Sequence, residues 1–447
     1  MTSLYQAAFL LIAILFVAVA CWRGRLHPLI AVVLGAVGFG LAAGMATSQI
    51  GKSFGIGFSQ SIQSLGLVVL AGALIGEIAD GAGATSWLNA KTALLSRRAV
   101  ALLMPALGLL GGIASSPAAA YALLGPLRRA LRGDSPRPAL ILGLSLSAAH
   151  GALLPAPVMI AAVTILGASW WAALGFGIPL ALLGIAIGTG FARLAVPRVA
   201  APPEAPEEVA DPGLLHRPKR AAQVLLLVSA VVVTLLAIQS LGDIASEPFG
   251  GGPNREFILG LGRPLMLLVV GVGLMALLAR PWQRDGLSED GWAGRGISRV
   301  ATLILLIGMA GGLQKLIQDT GLPEMNAERL TAWVPAQALM LALPFALAAV
   351  MKTLQGSSLV AAITAAGMMA PLLVPVGLDG ASGRALAALA VGAGSMTAPL
   401  ITDGLFWLVG SAMGAGPAGT LARFSLGTVI QGLASLGLLI LLHVVFT

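Results

Sequence analysis

Long apolar runs separated by short polar turns fill the chain from one end to the other. A run of about 18 or more apolar residues is long enough to cross bilayer hydrocarbon as a helix. On this template Leu4–Trp22, Pro28–Thr47 and about Ile62–Ala79 are the first three spans. The next run, Ala99–Leu127, does not fit. Its 29 residues would reach about 44 Å as one helix against an apolar layer of about 30 Å, and two crossings need about 40 residues. Ser115-Ser116-Pro117 breaks it near its middle. A re-entrant hairpin with that tip fits instead. Lys91, Arg97 and Arg98 precede the run, and Arg128, Arg129, Arg132 and Arg137 follow it. A hairpin keeps both basic clusters on one side, which a single crossing does not.

Pro138–Ala168 is also too long for one simple span, and His150-Gly151 and Leu153-Leu154-Pro155-Ala156-Pro157 interrupt it. It reads as a broken helix crossing outward, followed by Trp170 and Trp171 as interface anchors and by Ala172–Ala192 crossing back. Residues 193–220, with Pro202, Pro203, Pro206, Pro212 and four acids, read as a cytoplasmic linker. The second half repeats the order. Ala221–Leu241, Pro264–Ala279 and Val300–Gln318 are spans, and a second hairpin runs from about Trp333 to Val374 with Gln355-Gly356-Ser357-Ser358 at its tip. A second broken helix, Ala385–Met413, is interrupted around Thr397–Asp403, and Phe424–Phe446 is the last span.

Each half then holds five full crossings and one hairpin. An odd number inverts the second half relative to the first. The tips also share a faint likeness, Ser115-Ser116-Pro117-Ala118-Ala119-Ala120 against Ser357-Ser358-Leu359-Val360-Ala361-Ala362. The expected fold is an all-α polytopic membrane protein of two inverted repeats, 1–192 and 221–447, with broken helices at the midplane. Such an arrangement points to a secondary transporter with its site near the middle of the membrane.

Composition sharpens this picture. The 447 residues are 57% hydrophobic and only 10% charged, against roughly 25% charged in soluble domains. The net charge of +8 raises nucleic-acid binding as a question. The placement of the charges answers against it: 19 of the 26 Lys and Arg fall in loops assigned to the cytoplasm and 4 outside, as membrane topology requires. Arg23 and Arg25 follow the first apolar run rather than precede it. That reads as an uncleaved helix with its N-terminus outside, in a multi-pass protein of a bacterial inner membrane. The lone Cys21 leaves no intrachain disulfide and no Cys-based metal site. No cofactor is expected; the lipid bilayer is an expected partner, beside a small organic anion and protons.

The chemistry concentrates at the breaks. A broken helix exposes N–H groups at one half and C=O groups at the other, and the N-terminal ends favour anions. Ser115, Ser116, Gln355, Gly356, Ser357 and Ser358 at the tips, with Thr397 and Thr402 in the second break, are candidate substrate contacts. The serines alternatively bond back to their own helices. Lys352 beside the second tip either meets an anionic substrate or pairs with a nearby acid. His150 and Asp403 combine a titratable group with a helix break, so they are the candidates for proton coupling, with His150 also a substrate contact. Glu77, Asp80, Lys315, Asp319 and Arg263 read as interface groups.

These segments resemble the gluconate permease family, within the wider ion transporter superfamily. Ser147-Ala148-Ala149-His150-Gly151 with Pro155 and Pro157 is similar to that family's Ser/Thr-His-Gly segment rich in Pro. Lys352-Thr353-Leu354-Gln355-Gly356-Ser357-Ser358-Leu359-Val360-Ala361 resembles its basic residue followed by Ala-Gln-Gly-Ser-Ala-Thr-Val-Ala. Gly392-Ala393-Gly394-Ser395 and Asp403-Gly404-Leu405-Phe406-Trp407 resemble its Gly-Ala-Gly-Ser and Asp-x-Gly-Phe-Trp segments. The resemblance implies proton-coupled uptake of gluconate or a related small organic acid, and a homodimer with a moving transport domain. Three places depart from the family pattern. The first tip lacks the family's Asp, Ala156 replaces a His, and Leu400-Ile401-Thr402 replaces a more polar tripeptide. Fewer polar groups are then expected in the site, which favours a smaller or less hydroxylated acid. A proton-coupled carrier of a small amino acid such as D-serine is the alternative within carriers. A channel and a membrane-embedded enzyme are the alternatives outside them.

This topology makes a direct prediction. A cysteine introduced as Pro206→Cys in a Cys21→Ser background should react with membrane-impermeant maleimide only from the cytoplasmic side. Labelling of intact cells from outside would reverse the topology.

Overall fold

A computed structural model describes residues 3–197, 218–242, 248–250, 252–279, 286–322 and 340–446. The described residues are helical, with no strand among them. In the first half, α1 is Ser3–Trp22, α2 Pro28–Ala42, α3 Thr47–Gly81 and α4 Ala84–Ala93. α5 (Arg97–Gly111) and α6 (Pro117–Arg132) form a hairpin; α7 (Pro136–His150) and α8 (Pro157–Ile165) are the halves of a broken helix; α9 is Trp170–Ala195. In the second half, α10 is Pro218–Gly242, α11 Pro253–Leu261, α12 Pro264–Ala279 and α13 Trp292–Asp319. α14 (Ala342–Gln355) and α15 (Ser358–Leu372) form the second hairpin, α16 (Ala381–Ser395) and α17 (Gly404–Ala412) the second broken helix, and α18 is Pro417–Phe446.

The chain starts many of these helices in the same way. Pro117, Pro136, Pro157, Pro253, Pro264 and Pro417 each stand at the first helical position. There proline's fixed φ suits the helix and its missing N–H is not needed. The first hairpin and the first break reopen at such prolines, Pro117 and Pro157, whereas the second hairpin and the second break reopen behind side-chain caps, Ser357 and Asp403. α1, α3, α9, α10, α13 and α18 are long and apolar enough to cross a membrane alone, and α11 with α12 makes a bent pair at 61°. This is a polytopic α-helical membrane protein.

Several boundaries differ from the sequence reading. The second span was expected to reach Thr47, but α2 ends at Ala42. The third was expected from about Ile62, yet its helix begins at Thr47 and continues through a π-helical stretch at Ile62–Gly66. Hydropathy averages over all faces of a helix, and the polar face of 47–61 hid the helical one. α13 likewise starts at Trp292, ahead of the expected Val300. α4 and α11 are helices that the apolar runs did not disclose. Linker residues 198–217 and residues 333–339 of the second hairpin lie outside the described residues.

Small residues let the helices touch. A Cβ on Gly57 of α3 would stand 2.2 Å from the Gly311 carbonyl oxygen of α13, and one on Gly311 would stand 1.8 Å from Ser61 Oγ. The two broken helices meet in the same manner. A Cβ on Gly392 would lie 2.2 Å from the Gly151 oxygen, and one on Gly151 2.7 Å from the Gly392 oxygen. Close backbone approach replaces the hydrophobic drive that apolar lipid removes.

Ion pairs tie the helix ends. Glu77, expected at an interface, is buried and pairs with Arg299 at 2.8 Å and Arg295 at 3.3 Å. Asp80 lies 3.9 Å from Arg129 of the first hairpin. Thus the end of α3, the end of α6 and the start of α13 share one end of the bundle. Elsewhere Arg384, near the start of α16, donates to the Leu166 carbonyl just past α8 at 3.1 Å.

The α3–α13 crossing supplies a stability test. Gly311→Leu has no room at the contact with Ser61. Overpacking of this kind costs about 1–3 kcal/mol. A lower melting temperature in purified protein is expected, whereas Gly273→Ala, whose Cβ meets nothing within 4 Å, should not lower it.

Candidate functional site

Both hairpin tips and both helix breaks converge on one cavity of about 490 Å³. Ser115 and Ser116 come from the first tip, and Gly356, Ser357 and Ser358 from the second. His150 comes from the first break and Thr402 and Asp403 from the second, with Lys352 reaching in from the last turn of α14. The structure does not bring Gln355 or Thr397 to the cavity wall. Gln355 is buried behind the second tip. Thr397 instead donates to the Ala393 carbonyl at 2.9 Å and packs beside Gly432 of α18. Thr402, five residues further along the same irregular stretch, lines the cavity instead.

Three helices present their N-termini here. Ser116 caps α6 by accepting from Ala119 N at 3.3 Å, and Ser357 caps α15 by accepting from Val360 N at 3.4 Å. Asp403 caps α17, its Oδ1 accepting from Leu405 N at 2.7 Å. All three caps line the cavity. Each helix start carries partial positive charge and first-turn N–H groups without helical partners, so three such ends make an anion-attracting field. The Ser116 and Ser357 hydroxyls thus bond back to their own helices while lining the cavity.

Lys352 is the strongest charge. Its ammonium is 2% exposed and donates to Asp403 Oδ2 at 2.5 Å, Gly356 O at 2.7 Å and Ser358 Oγ at 2.9 Å. One lysine therefore holds the second tip to the second break. Gly356 makes this approach possible: its φ is +74°, and a Cβ there would stand 2.5 Å from the Thr402 carbonyl oxygen. The first tip makes the corresponding contact. His150 Nδ1 lies 2.9 Å from the Gly112 carbonyl oxygen, which assigns the proton to Nδ1 and leaves Nε2 as acceptor. Ser115 is anchored to α10, its N–H donating to Leu236 O at 3.2 Å and its hydroxyl donating to Gln239 Oε1 at 3.3 Å. Thr402 Oγ1 is buried with no protein partner.

The sequence reading missed the opposite wall. Gln60, Ser61 and Ser64 of α3 and Gln314, Lys315 and Gln318 of α13 line the cavity. A signal for them exists. Gly57-x-x-Gln60-Ser61-x-x-Ser64 and Gly311-x-x-Gln314-Lys315-x-x-Gln318 share one pattern, which at 3.6 residues per turn puts the glycine and the polar groups on adjoining strips of one helix. Lys315 is paired to Asp319 at 2.6 Å. The expectation of few polar groups in the site took no account of these residues.

A polar, anion-attracting cavity inside an apolar helical body belongs to a membrane transport protein, and comparison with known proteins agrees. The family model for GntP family permeases matches residues 5–445. The chain belongs to that family. It is 26% identical to a gluconate permease of Zymomonas mobilis, over 98% of this chain and 96% of that protein. It is 26% identical to a gluconate permease of Pseudomonas aeruginosa over 81% of each, and 26% identical to an L-idonate transporter of Escherichia coli over 78% of this chain and 80% of that one. Permeases are transporters, so the chain is not an enzyme.

The buried pair has a measurable signature. Lys352→Ala leaves the Asp403 carboxylate buried beside no cation, and breaking such a pair costs about 3–5 kcal/mol. Lys352→Ala should lower the melting temperature of purified protein, and adding Asp403→Asn should recover most of the loss. No recovery in the double variant would mean that Lys352 acts mainly through Gly356 and Ser358.

Proposed function

We propose that the protein carries a small sugar acid, gluconate or a close relative, across the membrane together with a proton. The observation that carries this reading is the meeting of three helix N-termini and Lys352 at one cavity, with Asp403 held against Lys352. The substrate carboxylate and the Asp403 carboxylate compete for the same ammonium. When substrate takes Lys352, Asp403 is left buried without its cation and binds a proton. One anion and one proton then move together, and the interior-negative potential does not oppose their entry.

The rest of the cavity suits a polyhydroxylated chain. Gln60, Gln314, Ser61, Ser64 and Thr402 offer donors and acceptors across from the helix ends, and His150 Nε2 is placed to accept from a hydroxyl. A volume of about 490 Å³ lies within the usual range for small-ligand sites of about 300–1,000 Å³. The relatives named above bear the names of gluconate and L-idonate carriers, so a sugar acid is favoured over both a smaller hydroxy acid and D-serine.

Two inverted repeats, residues 1–192 and 221–447 joined by a cytoplasmic linker, are part of this proposal. The matching order of long helix, hairpin, broken helix and long helix in each half supports them. So do the paired Gly-x-x-Gln patterns and the Gly151–Gly392 crossing. The N-terminus is then outside, and the end of the bundle holding Arg129, Arg137 and Arg299 is cytoplasmic.

Asp403→Asn tests the exchange of partners. In proteoliposomes the variant should lose accumulation of labelled gluconate driven by an imposed pH gradient, to background, while retaining gluconate counterflow. Accumulation with a normal pH dependence would move the proton to another carrier, with His150 next in line. Neither accumulation nor counterflow by wild type would remove gluconate as substrate.

A further inference from the structure

A second hollow, of about 800 Å³, shares no lining residue with the central cavity. It lies at the end of the bundle that the basic clusters mark, among α4, both arms of the first hairpin, and the ends of α7 and α9. Arg97, Arg132, Arg137 and Arg193 line it, and no Asp or Glu does. The nearest acid along the described chain, Asp134, is engaged by Arg128 at 3.3 Å. Arg137 is held in place: Nε donates to Val196 O at 2.8 Å and Nη2 to Arg193 O at 3.3 Å.

Between these guanidinium groups the walls carry Val100, Met104, Leu131 and Ile141, with Asn89, Thr92 and Ser135 as the uncharged polar groups. Leu94 and Leu194, each next in sequence to a lining residue, are 78% and 86% exposed. A soluble anion has no use for such walls, and an apolar molecule has none for four guanidinium groups. A molecule with an anionic head and a hydrocarbon tail uses both, and basic pockets between membrane helices hold such heads. Arginine also matches phosphate geometry through paired N–H donors.

We propose that this hollow binds an anionic phospholipid, with the phosphate among the four arginines and an acyl chain against Met104, Leu131 and Ile141. Both arms of the first hairpin contribute, so a bound lipid braces the base of the element whose tip carries Ser115 and Ser116. The site is independent of which substrate the central cavity takes.

The test uses the purified full chain in neutral detergent. Melting temperature is measured with added phosphatidylglycerol, phosphatidylcholine or sodium phosphate at matched concentration, and native mass spectrometry counts retained lipid. Phosphatidylglycerol should raise the melting temperature above the phosphatidylcholine value and stay bound as a discrete adduct, while phosphate should not stabilise. Arg97→Gln with Arg193→Gln, both at exposed positions, should lose at least half of that increment, and Arg97→Gln alone a smaller part of it. Equal stabilisation of wild type and double variant overturns the site. Stabilisation by phosphate equal to that by phosphatidylglycerol overturns the lipid in favour of a free anion.

Discussion

A lysine and an aspartate buried in an apolar helical body are tolerable only in contact with each other. Alone, either charge costs several kcal/mol that nothing nearby returns. Lys352 and Asp403 stand 51 residues apart in the chain, and their contact at 2.5 Å obliges a hairpin tip and a helix break to meet. Gly356 has no side chain because the Thr402 carbonyl occupies that space. The cap of α17, the tip of the second hairpin and the polarity of the cavity all follow from this one pairing.

The breaks impose a second constraint of the same kind. Backbone groups freed inside a membrane must find partners in protein or in a polar cavity. Here the freed ends are gathered rather than scattered. The first tip touches the first break through Gly112 and His150, and the second tip touches the second break through Gly356 and Thr402. The two breaks cross at Gly151 and Gly392. Concentrating four interruptions at one place lets them share one polar cavity, while many of the remaining helices pack through apolar clusters. The same concentration points helix N-termini at a common centre, so the solution to a folding problem is also an electrostatic field for anions.

Charge at the bundle end plays a different part. Glu77, Asp80, Arg129, Arg295 and Arg299 connect α3, α13 and the returning arm of the first hairpin.

The sequence alone determined much that is local. Apolar run lengths defined membrane helices, and Ser-Ser-Pro, His-Gly and Gln-Gly-Ser-Ser marked the places where helices stop, because caps, proline and glycine act over one turn. Basic clusters on both sides of 99–127 disclosed a hairpin, since charge placement constrains topology. Other features were illegible for physical reasons. The early start of α3 was hidden because hydropathy blends its buried Gly57 face with its polar one. Thr397 and Thr402 looked alike in one break, and only the path of the backbone separated them. Gln60 and Gln314 lie outside every break, and their shared Gly-x-x-Gln pattern marks a strip of each helix without saying what that strip faces. That Lys352 meets Asp403, and that four interruptions form one cavity, was decided by tertiary structure, because a contact across 51 residues depends on how whole helices cross.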